Sequence, residues 1–135
     1  MNNSTEKPAT LKRPGGITVL CILLAWLGLV GLSNAWFIFA GEFPGKGPLV
    51  GVGVLVYGVT ALVACVGLWR MASWAPKALH AWMLAFVFYL VGHALGFDDF
   101  IRGNIPGALG LAVFVGLLFL GIHRYVSIQF NPGDN

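Results

Sequence analysis

Four long apolar stretches alternate with short polar connections along the chain: Gly16 to Ala40, Pro48 to Trp69, Pro76 to Leu95 and Pro106 to Ile122. About 20 mostly apolar residues, each rising about 1.5 Å, cross roughly 30 Å of hydrocarbon. Each stretch therefore predicts one transmembrane helix. Pro14, Pro48, Pro76 and Pro106 stand at or just before the four starts. Proline suits that place because its missing N–H would lack an intrahelical partner and its φ is already helical. Gly41 and Gly96 follow the first and third stretches as stop residues. The expected fold is an all-α integral membrane bundle of four transmembrane helices over residues 16–124. Residues 1–15 are expected to form a disordered cytoplasmic tail and residues 125–135 a short second one. The connections are too short for a soluble catalytic domain, so any chemistry must sit inside the bundle or at its rims.

Composition agrees with this pattern. The 135 residues are 58% hydrophobic and 10% charged, against about 25% charged in a soluble domain. The net charge of +3 includes no dense basic run, so no nucleic-acid partner is expected. What matters is where the basic residues fall. Lys7, Lys12, Arg13, Arg70, Lys77 and Arg124 lie on one side of the alternating spans, and only Lys46 and Arg102 on the other. Basic residues in short loops stay in the cytoplasm, which predicts cytoplasmic termini, with Glu42, Asp98 and Asp99 outside. Trp69, Trp74, Trp82 and Tyr125 read as anchors at the cytoplasmic boundary. A competing reading takes Lys12, Arg13 and the small-x-small run Ser33-Asn34-Ala35 as a cleaved signal peptide. Hydrophobicity continues past Ala35 through Phe39, which favours four spans. Gly67-Leu68-Trp69-Arg70 and Gly121-Ile122-His123-Arg124 echo one another, a similarity that reads as chance between apolar segments.

The nineteen glycines exceed what the connections need. In lipid, helix association depends on close backbone approach at small residues. Gly53, Thr60, Ala64 and Gly67 form an expected packing seam on the second span, Ala108, Ala112 and Gly116 one on the fourth, and Gly28, Gly31 and Ala35 one on the first. Leucine at Gly53 or Gly67 is expected to disrupt that contact.

Candidate chemistry is sparse. All five carboxylates (Glu6, Glu42, Asp98, Asp99 and Asp134) fall outside the spans, which removes the buried glutamate on which small four-helix multidrug exporters depend. Cys21 and Cys65 form no C-x-x-C and read as inert buried thiols at similar depth. His93 lies ~26 Å along its helix from Pro76, and Asn34 reaches a similar outer depth. With Asp98 and Asp99 they outline an outward-facing polar vestibule for a proton, cation or small polar solute. The simpler reading is an interhelical hydrogen bond of about 1 kcal/mol or less, and it is preferred. Asp98 and Asp99 alone do not make a cation site, and no metal site is expected. His80 and His123 sit near the cytoplasmic rim at comparable depth, where two facing imidazoles offer axial ligands for haem iron. Interfacial histidines without such a role are commoner, so no cofactor is expected.

The opening Arg13-Pro14-Gly15-Gly16 and the aliphatic helix that follows to Leu32, with Gly67-Leu68-Trp69-Arg70, resemble small four-helix bacterial inner-membrane proteins with an RPxG-type start. The resemblance implies a bacterial cytoplasmic membrane and a multi-pass protein, and no activity. Small-residue seams combined with spans almost free of ionisable groups predict a non-enzymatic accessory or scaffold subunit. Its expected partners are the lipid bilayer and a membrane protein or a second copy of itself. The alternatives are a small transporter or channel through the Asn34 and His93 vestibule, and a haem-binding redox subunit.

Overall fold

A computed structural model describes residues 14–43, 47–96 and 105–130, except for the side chains of residues 91–96, 105 and 108. The chain is all-helical, with four helices: α1 (Gly15–Phe39), α2 (Pro48–Trp69), α3 (Ala75–Gly96) and α4 (Ile105–Phe130). The bounds of the first three match the sequence expectation to within a residue. The fourth runs through Phe130 rather than ending near Ile122, because nothing between them breaks a helix and Val126 docks into the core. All four prolines sit in or beside a first turn. Among the described residues, α1, α2 and α4 are each long and apolar enough to span a membrane, while α3 contributes a shorter apolar run, Ala75–Leu90.

The helix ends follow local chemistry. α1 closes with Gly41 at φ +79. The Glu42 N–H donates to Phe37 O at 3.0 Å and the Gly41 N–H to Ile38 O at 3.1 Å, a Schellman stop. α2 closes the same way, Ala72 N–H donating to Gly67 O at 3.0 Å and Met71 N–H to Leu68 O at 3.1 Å. Here the left-handed position is Met71, at φ 49. A side chain in that conformation costs roughly 1–2 kcal/mol, so the short turn into α3 holds Met71 under strain.

Packing runs in series, α1 on α2, α2 on α3 and α3 on α4. Buried Ile17, Cys21, Leu24, Gly28, Gly31, Ala35 and Ile38 recur every three or four residues and form one face of α1. They meet Gly51, Val54, Gly58, Ala61, Ala64 and Leu68 of α2. The helices come closest where Gly28 and Gly31 face Gly58. A Cβ built on Gly58 would lie 3.0 Å from both Gly28 O and Leu32 N. This is the small-residue packing expected in lipid, but on α2 it follows a different register from the expected one. Gly53 and Thr60 lie off the contact face: a Cβ at Gly53 meets nothing within 4 Å, and the Thr60 hydroxyl returns to Val56 O at 2.8 Å. Ala64 and Gly67 are buried, and Gly67 packs under the Trp74 ring. The four residues therefore do not act as one seam within the chain, because Gly53 and Thr60 are rotated away from α1. Gly28, Gly31 and Ala35 on α1 are buried as expected.

Contacts between helix ends set the topology. Tyr125 near the end of α4 lies over Gly16 at the start of α1. Cys21 meets Cys65, and His80 meets His123. The starts of α1 and α3 and the ends of α2 and α4 therefore share one end of an up-down bundle.

Candidate functional site

That shared end carries the densest polar arrangement among the described residues. His80 stands in the first turns of α3, where its Nδ1 lies 2.6 Å from Pro76 O, four residues earlier. A carbonyl only accepts, so Nδ1 carries the proton and Nε2 presents its lone pair when the ring is neutral. His80 Nε2 lies 2.9 Å from His123 Nδ1 on α4, so His123 Nδ1–H donates to it. The ring centres are 4.6 Å apart and the planes 62° from parallel. Both side chains are exposed. The sequence placed these histidines at one depth, and the fold brings them into contact. The contact counts against haem. Two axial nitrogens at roughly 2 Å from iron stand about 4 Å apart across a macrocycle, and nitrogens 2.9 Å apart cannot occupy its two opposite faces.

At the same end of the bundle, Cys65 Sγ donates to Cys21 O at 3.2 Å and Cys21 Sγ to Cys65 O at 3.6 Å. Neither cysteine is in a disulfide. These reciprocal weak bonds tie α1 to α2 and read as packing.

Sequence reasoning missed an aromatic cluster. Tyr57 of α2 stacks on Tyr89 of α3, with ring centres 5.2 Å apart. Trp82 lies against Tyr57, Phe86 and Phe119, the last on α4. The available signal was the spacing of Trp82, Phe86 and Tyr89 along one helical face. The expectation of Trp82 as an interfacial anchor is corrected: it is 4% exposed, because its position on α3 faces α2. Its Nε1 has no hydrogen-bond partner among the described residues. Trp69, Trp74 and Tyr125 remain exposed.

The proposed vestibule is not assembled by any described contact. Asn34 is half-buried on α1. His93 lies near the end of α3, where side chains are not described, and Asp98 and Asp99 lie outside the described residues. α2 packs against both α1 and α3. An open depression of about 290 Å³ lies elsewhere, lined only by Leu62, Val63, Val66 and Trp74. Among the described residues, no three His, Cys, Asp or Glu side chains converge.

Of the expected fourth-span seam, Ala112 is exposed and a Cβ at Gly116 meets nothing within 4 Å. Positions 108, 112, 115, 119, 122 and 126 recur every three or four residues and so share one face of α4. Its lower half is covered: Phe119 and Ile122 pack on the core and Val126 is buried in it. Above it, Ala112 is exposed and Val115 half-buried.

No family model, curated protein or solved structure matches this chain.

Proposed function

We propose that this protein is a non-enzymatic accessory subunit of a bacterial inner-membrane assembly, in which α4 receives a transmembrane helix of the partner. One observation carries the reading: above the part of α4 that packs on the bundle, Ala112 is exposed and Gly116, one turn on, has open space beside it among the described residues. In lipid, apolar side chains gain little by leaving the tails, and helices associate through close contact at Gly and Ala. Ala112 and Gly116 provide such a surface: among the described residues Ala112 is exposed and a Cβ at Gly116 meets nothing within 4 Å. The three long apolar helices support insertion in the membrane. The bias of six basic residues to two supports cytoplasmic termini.

A photoreactive residue in place of Ala112 tests the docking face in cells. It is expected to give a discrete adduct with another membrane protein, lost when Gly116→Leu is added, while the same group in place of exposed Leu23 on α1 labels lipid only. Lipid-only labelling from both positions would reject the reading. An adduct between two copies of this chain would replace the accessory role with a homo-oligomer.

Orientation is tested separately. A cysteine in place of Ser127, near the end of α4, is expected to react with a membrane-impermeant maleimide only after the cells are opened. Labelling in intact cells would reverse the orientation.

A further inference from the structure

The His80 and His123 pair lies about three turns along α4 from Ala112, and its separations fit two ligands of one ion. His80 Nδ1–H is held by Pro76 O at 2.6 Å. A backbone carbonyl on the distal ring nitrogen is the outer contact that usually orients a metal-binding histidine, setting its tautomer and raising the basicity of the other nitrogen. That other nitrogen, Nε2, is directed at His123 Nδ1, 2.9 Å away, with ring centres 4.6 Å apart. Two imidazoles bound to one ion through bonds of about 2.0–2.1 Å, at an angle near 90°, place their nitrogens about 2.9 Å and their ring centres about 4.5 Å apart. Both observed separations match adjacent corners of one coordination sphere. In the metal-free pair, His123 Nδ1–H bridges the two rings. Metal binding would remove that proton to Nε2 of the same ring or to solvent, leaving one lone pair on each facing nitrogen.

We propose that His80 and His123 form a two-imidazole site for a late first-row divalent metal ion at this end of the bundle, with water completing the coordination. Imidazole suits Cu²⁺, Ni²⁺ and Zn²⁺, whereas Mg²⁺ and Ca²⁺ require oxygen donors. The site joins α3 to α4, beside the contacts of Phe119 with Trp82 and Phe86. A bound ion therefore clips α4 to the bundle. Lys77, almost one turn before His80, and Arg124, next to His123, are exposed, so salt screens their repulsion of a bound cation.

Cu²⁺ alone, titrated into the full-length protein in detergent micelles, tests the site by binding isotherm and electron paramagnetic resonance. The expected result is one ion per chain with nitrogen coupling in the spectrum, and affinity at least tenfold weaker in both His80→Ala and His123→Ala. His93→Ala should bind as the wild type does. Because both rim histidines are exposed, alanine leaves the helices folded, which far-ultraviolet circular dichroism checks. Unchanged binding in either rim variant, or loss of binding in His93→Ala, would overturn the proposal. The outcome is independent of the α4 crosslink, so either reading can fail alone.

Discussion

Replacing Gly58 by leucine is expected to separate α1 from α2 and destabilise the bundle by about 3 kcal/mol, near the top of the usual range for overpacking. Overpacking is tolerated when the obstructing atoms belong to a flexible side chain. At Gly58 they are Gly28 O, Leu32 N and Gly31 C, all backbone atoms of α1. The helix axis itself must move, and the neighbouring contacts of Gly31, Ala61 and Leu24 loosen with it. In lipid the loss is not offset by any hydrophobic force holding the helices together, since the tails are as apolar as the side chains. Gly53→Leu is the internal control. It lies on the same helix and makes the same chemical change, but its Cβ enters open space, so its effect on bundle stability should be within about 0.5 kcal/mol. Unfolding of the two variants in detergent micelles by added SDS measures the difference. Equal losses would show that the cost arises from leucine in the helix rather than from the crossing.

Trp82 carries the second large effect, with opposite expectations for two substitutions. Trp82→Ala removes the ring that touches Tyr57 on α2 and Phe119 on α4. In a water-soluble core this change costs roughly 3–5 kcal/mol, of which part is transfer from water and part is the cavity. In a bilayer the transfer part is small, so the expected loss is about 2–3 kcal/mol from missing contacts. Trp82→Phe leaves an aromatic ring in place and removes the unpartnered indole N–H. A buried donor without an acceptor costs about 1–3 kcal/mol, and its removal offsets the smaller ring, so this variant should fall within about 1 kcal/mol of the wild type. The same SDS titration distinguishes them. If phenylalanine were as damaging as alanine, the N–H would have an acceptor in the folded protein.

The two experiments lie on opposite sides of what the sequence disclosed. Helix positions were legible because the length of an apolar run and a proline at its start are both local properties. α2 was bounded to the residue, and Gly41 was readable as a stop because only glycine takes φ +79 without strain. Met71 was not readable in that role, since its left-handed conformation is imposed by the short turn between α2 and α3. Small residues were recognised as packing material, yet the face used on α2 was misassigned. Gly53 and Gly58 look alike in sequence, and the choice between them depends on how α2 is rotated against α1. Apolar residues surround both helices, so hydrophobicity carries almost no information about rotation in a membrane helix.

The candidate site divides in the same way. Depth along a helix follows from counting residues, so the sequence by itself placed His80 and His123 at one depth, and Cys21 and Cys65 at one depth. It also determined four helices and the absence of carboxylates from the apolar stretches. Only the tertiary structure decided that α1 and α2 meet through Gly28, Gly31 and Gly58, that Trp82 is core rather than anchor, that Ala112 of α4 is exposed, and that the two histidines stand 2.9 Å apart. The physical reason is that hydrophobic length and charge act on each helix separately against the bilayer. Helix rotation and lateral neighbours are set only by side-chain fit between helices, which no single segment encodes.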